Sequence, residues 1–129
     1  MVIVWEDLYK LRISNSQESM SHHEVVKLLI LMKLLEKHKR QHNYIRIYTE
    51  FPTTKGRRCD VYYENIRTKE AYSYEVQKNL SKDWVSQAQK DYAEWDVPYM
   101  KTSDLIVVDL NKLSKNIDEL NKQLDEVIV

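Results

Sequence analysis

Between Ser21 and about His42 the apolar residues Val25, Val26, Leu28, Leu29, Leu31, Met32 and Leu35 recur at steps of three and four. That period predicts an amphipathic helix with a wide buried face. Ser21, with Glu24 three residues later, is a capping-box signature for its start. The period then shortens to two: Tyr44, Arg46 and Tyr48 alternate with Ile45, Ile47 and Thr49, which predicts a strand over Tyr44 to Phe51. Pro52 to Lys55, followed by Gly56, ends it. Cys59–Glu64 and Ala71–Gln77 are two further strand-like runs, joined by the polar segment Asn65–Glu70. Helical spacing returns in Trp84, Val85, Ala88, Tyr92 and Trp95, with Asn79 or Ser81 as the cap and Pro98 beyond the end. Leu105–Leu110 is nearly all apolar, as in a strand covered on both faces. Leu113, Ile117, Leu120, Leu124 and Val127 form a narrow helical seam. Met1–Leu11 fits a strand or a helix equally, and Ser14–Ser21 reads as a loop. The order of elements predicts an α/β domain: a mixed central sheet of about four strands flanked by helices.

Composition narrows the function classes. With 129 residues the expectation is a single domain, its core at about 21–110 and a C-terminal helix at about 113–128. Hydrophobic residues make up 43%, enough for a packed core rather than a disordered chain. Twenty basic residues balance twenty acidic ones, which excludes nucleic-acid binding by bulk charge but leaves room for a local basic patch. A single glycine cannot build a Walker A loop or a dinucleotide fingerprint. A single cysteine excludes an internal disulfide and a multi-cysteine zinc site. The longest apolar stretch, Val25–Leu35, is interrupted by Lys27 and Lys33 and is too short to span a bilayer. With no signal-peptide pattern, the expectation is a cytoplasmic protein without a membrane partner.

The hairpin carries the candidate chemistry. Paired antiparallel about a centre between Arg67 and Thr68, its strands bring Asp60 opposite Glu75 with Cβ atoms ~5 Å apart. Alternation then puts Asp60, Tyr62, Glu75 and Gln77 on one face and Val61, Tyr63, Tyr74 and Val76 on the other. Two facing carboxylates repel unless a cation lies between them, and Mg²⁺ commonly takes one or two carboxylates with waters and a substrate phosphate. A one-residue slip would separate the pair, leaving two acids that simply face water.

The run Arg57-Arg58-Cys59-Asp60-Val61 and, one hairpin later, Glu75-Val76-Gln77-Lys78 resembles the core of the PD-(D/E)XK nuclease superfamily. The common α-β-β-β-α-β order of that family matches the order predicted from Ser21 to Leu110. The resemblance implies a restriction-endonuclease-like fold and hydrolysis of DNA phosphodiester bonds by a metal-activated water, with Mg²⁺ or Mn²⁺ as cofactor. It implies Asp60 and Glu75 as metal ligands, and Glu24 as the extra acidic residue that many members carry on the first helix. Two positions depart from the pattern. Cys59 replaces a proline, and Gln77 replaces the lysine, an E-x-Q form that some branches tolerate. Gln77 would position the water or a phosphate oxygen. Lys78 would supply charge if a bulge re-aims it, since alternation points it to the opposite face. The alternative reading is a nuclease-like module without chemistry that binds DNA or protein partners. Gln77 favours that alternative; the retained Asp60–Glu75 pair opposes it.

Other residues have competing roles. Lys55, Arg57 and Arg58 beside Gly56 form a basic loop that holds a phosphate backbone or is an ordinary solvated turn; Lys78, Lys82 and Lys90 would extend it. Gln87 is an active-site candidate by loose similarity to the Q-x-x-x-Y pattern of RecB-like members, whereas Tyr92 is expected in the core. Glu24 has a purely structural role open to it as the capping-box partner. His22 and His23 adjoin it and could line the same cleft. His38 and His42 fit the favourable C-terminal end of a helix better than a metal site. Cys59 is expected to be buried, facing away from Asp60. The C-terminal seam either packs inside the domain or meets a second chain. A homodimer through it, or through the Val25–Leu35 face, would provide an active site for each strand of a duplex.

Overall fold

The computed structural model describes residues 22–53, 56–95, 100 and 102–129. The expectations for residues 1–21, including the Ser21 cap, and those for Lys55 and Pro98 lie outside the described residues. The chain runs α1 (His22–Lys37), β1 (Ile45–Pro52), β2 (Arg58–Asn65), β3 (Glu70–Gln77), α2 (Lys82–Ala93), β4 (Thr102–Asp109) and α3 (Ile117–Leu124), with short 3-10 turns after α1, β4 and α3. The four strands of the described residues form one sheet in the order β1-β2-β3-β4. The first three are antiparallel, and β4 runs parallel to β3. A parallel neighbour needs a crossover connection, and α2 supplies it. The fold is thus α/β, a mixed four-stranded sheet flanked by helices.

Helices α1 and α3 cover one face. Val26, Ile30 and Leu34 of α1 meet Ile47, Val61, Tyr74 and Val76 of the sheet, and Leu120 and Leu124 of α3 close the cluster. On the other face Tyr92 and Trp95, from α2 and its end, pack with Cys59, Tyr62 and Ala71. The Ser81 side chain caps α2 by accepting from the Trp84 amide at 3.1 Å. Burial on both faces explains why β2 is buried almost throughout, from Cys59 to Glu64.

Three expectations are corrected in detail. Helix α1 stops at Lys37, short of His42, because Lys39–Gln41 have no apolar side to bury and form an exposed turn. Strand β4 touches both clusters, through Leu105 on one side and Ile106 and Val108 on the other. Among the described residues it pairs only with β3, however, an edge position, and Leu105, Ile106, Val107 and Asp109 are half-buried while Val108 is buried. The C-terminal helix is shorter than its seam. Asn116 caps it, accepting from the Asp118 and Glu119 amides at 3.0 and 3.3 Å, so Leu113 lies ahead of the helix. Leu120 and Leu124 are 1% exposed against α1, so the seam packs within the domain. Among the described residues no helix is long and apolar enough to cross a membrane.

Candidate active site

The β2–β3 hairpin has the predicted register: Val61 pairs with Tyr74, Tyr62 with Ser73 and Glu64 with Ala71. One further step would set Asp60 across from Glu75, but the ladder ends at Val61–Tyr74. Beyond it the Val76 amide donates to the Asp60 side chain, N to Oδ2 2.7 Å, in place of a backbone carbonyl. The Asp60 carboxylate therefore fills the opening between β2 and β3.

The same-face arrangement of Asp60, Tyr62, Glu75 and Gln77 is corrected. Between β1 and β2 the ladder skips the Glu50–Asp60 step while keeping its register on either side, and Glu50 has a φ of 52°. At this step the side chains change sides. Tyr48 and Phe51 on β1 stack with Tyr62, and Cys59 joins Tyr62 beneath α2. Glu50 is instead bonded by Lys27 and Asp60 is approached by His23, both from α1. Period-two counting holds only while the ladder is regular, and a local distortion re-aims the residue it contains. Asp60 is thus engaged from the α1 side and in the sheet plane. Glu75 is engaged from the α2 side, where the Tyr92 hydroxyl donates to it. Cys59 is buried and faces away from Asp60, as expected.

The two carboxylates still feel each other. Glu75 is 4% exposed, and burial is the main reason its carboxyl is held above the ordinary value. Hydrogen bonds from Tyr92 and Gln77 and the charge of Arg57 oppose that rise, while the charge of Asp60 adds to it. On Asp60, His23 Nε2 lies 3.4 Å from Oδ1 and Nδ1 lies 3.6 Å from Glu24. The hydrogen bond to Asp60 raises the imidazole pKa against the opposing effect of burial, and the charges of Asp60 and Glu24 add to the rise. Among the described residues neither Asp60 nor Glu75 forms an ion pair with a lysine or arginine.

A cleft of about 500 Å³ opens at the C-terminal ends of β3 and β4, lined by His22, His23, Gln77, Lys78, Asn111 and Lys115 with Val76, Leu110 and Leu113. His22 and His23 both line it, and Glu24 does not. Gln77 and Lys78 both border it as well. The opposite-face expectation for Lys78 does not apply, because β3 ends at Gln77. The strand pattern gave no hint of Asn111 and Lys115, which arrive from the turn after β4 through its parallel pairing with β3.

The other candidates are dispersed. The Arg57 guanidinium donates through Nε to Asp91 at 2.7 Å and lies 5.4 Å over the Trp84 ring. Gln87 donates to the same Asp91 at 2.8 Å. Both are therefore held on α2, away from the cleft, while Arg58 is exposed. Tyr92 is buried as expected but also holds Glu75, a role signalled by the need of a buried hydroxyl for a partner. Lys27 was legible only as an interruption of the α1 apolar face; it is fully buried and paired with Glu50. His38 holds the chain end, Nε2 to the Val129 carbonyl oxygen 2.8 Å.

Among the described residues no group of three or more His, Cys, Asp or Glu side chains converges to hold a metal ion. A closed structural metal site therefore does not fit. Asp60 and Glu75 are hard oxygen donors of the kind magnesium takes together with water and substrate phosphate, but they are engaged from opposite sides and neither lines the cleft. Comparison of the chain with protein-family models, curated proteins and solved structures returns no match.

Proposed function

We propose that the protein is a metal-dependent nuclease with a restriction-endonuclease-like fold, acting on DNA phosphodiester bonds. One observation carries this reading: two buried carboxylates, neither of them ion-paired with a lysine or arginine among the described residues, lie where the β2–β3 ladder opens. Buried acids of this kind are costly unless protonated or matched by a cation. Asp60 and Glu75 would hold Mg²⁺ or Mn²⁺, with Glu24 acting through His23. A divalent ion bound there supplies charge that polarises a phosphate and acidifies water. Tyr92 fixes the Glu75 carboxylate, and His23 with the Val76 amide fixes that of Asp60. Gln77, bonded to Glu75 and bordering the cleft, orients a water or phosphate oxygen. Lys78 and Lys115 supply positive charge for the strand backbone.

One observation favours a second reading, a module that binds DNA or a protein without cutting: Gln77 stands where the resembled family has lysine. A single assay separates the two. Asp60→Ala should abolish Mg²⁺- or Mn²⁺-dependent cleavage of single-stranded, duplex and branched DNA while the circular dichroism spectrum stays unchanged. Cleavage that persists in excess EDTA, or in Asp60→Ala, would rule out the metal site at Asp60, and no cleavage by wild type with either metal would favour the binding module. A homodimer supplying two sites would need surfaces other than the Leu120–Leu124 seam, such as the apolar groove of about 600 Å³ beside the half-exposed Met32.

A further inference from the structure

The half of the sheet opposite α1 that α2 does not overlie carries an aromatic and basic strip. Among the described residues α2 packs over β4, and towards β2 and β1 it presents Tyr92, against Cys59 and Tyr62, and Trp95 beyond its end. Tyr44, Arg46 and Tyr48 alternate along the start of β1, on the side away from buried Ile45 and Ile47. Tyr48 is 38% exposed, and the Arg46 side chain is 58% exposed.

Behind Tyr48 the rings are stacked. Tyr48 and Phe51 lie 5.2 Å apart with planes 23° apart; Phe51 and Tyr62 lie 4.4 Å apart at 9°. Tyr62 is fully buried, so the outer ring rests on a rigid base. Arg46 Nη1 lies 3.7 Å from Glu64 Oε1, and of the two partners the arginine is the one exposed to solvent. The Arg67 guanidinium sits 5.1 Å over the Tyr44 ring, while the nearby acid, Glu64, is 8% exposed and takes the Tyr62 hydroxyl at 2.8 Å. An exposed ring on a fixed stack, flanked by arginines, suits an unpaired base with its phosphates alongside. A duplex hides its base faces and does not suit it.

We propose that this strip is a stacking platform for single-stranded DNA, with a base on Tyr48 and the backbone beside Arg46. The inference rests on the nucleic-acid reading above and deepens it. Tyr48 pairs with Tyr62, two residues along β2 from Asp60, a backbone span of ~7 Å, but the Asp60 carboxylate is engaged from the α1 side, so the strip and that carboxylate lie on opposite faces of the sheet.

Fluorescence anisotropy in EDTA, with a labelled thymidine oligomer of about sixteen nucleotides and a duplex of equal length, tests binding without chemistry. Wild type should prefer the oligomer, and Tyr48→Ala should weaken it about ten- to a hundredfold. Tyr48→Trp should restore binding, and Arg46→Gln should weaken it and flatten its salt dependence. An abasic oligomer on wild-type protein probes the same contact without any substitution and should bind as poorly as the Tyr48→Ala pair. Equal binding of abasic and thymidine oligomers, or of Tyr48→Ala and wild type, overturns the platform. So does light scattering in which Tyr48→Ala converts a dimer to a monomer, which would assign the strip to a second copy. Binding is read in EDTA and cleavage only with the metal present, so the two readouts are independent. A failed cleavage assay therefore leaves this result standing, and a failed platform leaves the cleavage result standing.

Discussion

Tyr92 shows how one side chain can serve packing and chemistry together. Its ring packs against Trp95 with centroids 5.9 Å apart, and its hydroxyl donates to the buried Glu75 carboxylate. Tyr92→Phe keeps the ring and removes the donor, so it should cost ~1–3 kcal/mol at neutral pH, the range for stranding a buried acceptor. A urea midpoint equal to that of wild type at unchanged slope would show that the hydroxyl does not support Glu75. Tyr74 gives a pH signature away from the carboxylates. Burial holds its phenol up, to about 12 from an ordinary 10.0, and its hydroxyl donates to the Val127 carbonyl at 2.6 Å. A folded-state pKa above the unfolded one means that the neutral form is favoured in the fold. That stability is fully present below about pH 10 and is lost as pH rises towards about 12. Tyr74→Phe should therefore flatten the fall of melting temperature across this window; parallel curves for variant and wild type would refute the assignment. Neither partner was readable from residue type. Tyr74 and Tyr92 meet groups 53 and 17 residues away in the chain, contacts that no local pattern encodes.

At the scale of elements, the hydrophobic periods located every helix and strand among the described residues, because burial on one face imposes a period of 3.6 or 2 wherever a segment is regular. The α3 seam is the clearest test of what that pattern leaves open. A narrow apolar stripe fits a neighbouring helix of the same chain as well as one from a second chain. With Leu120 1% exposed among α1 and the sheet, Leu120→Glu should give unfolded or aggregated protein. Folded, soluble Leu120→Glu monomers would contradict the packing described here. The milder Leu120→Ala should cost ~2–5 kcal/mol. The Glu50–Asp60 step marks where period counting ends. A positive φ at Glu50 and a skipped pair send both acids towards α1, where Lys27 and His23 engage them. Alternation alone placed Asp60 beside Tyr62, and nothing in the composition of either strand announces the distortion.

For the whole molecule, the repulsion between Asp60 and Glu75 predicts how metal and stability are coupled. In the metal-free protein Asp60→Ala relieves one of two repelling charges but strands the buried Val76 amide and removes the His23 contact, so the melting temperature should fall. Millimolar Mg²⁺ should stabilise wild type and leave Asp60→Ala unchanged, because a ligand stabilises only the state that binds it. An equal Mg²⁺ response in both proteins would place any bound ion elsewhere. By itself the sequence determined the α/β class, the order of elements from α1 to α3 and the β2–β3 register, which stops one step short of Asp60 and Glu75. These follow from local period and turn placement, which the chain carries residue by residue. Tertiary structure alone decided that Asp60 turns towards α1 while Glu75 is held from α2, that β4 is an edge strand, and that Asn111 and Lys115 join Gln77 and Lys78 around one cleft. Each of these depends on side chains far apart in sequence competing for the same space and the same hydrogen bonds, and that competition is settled only once the helices have packed on the sheet.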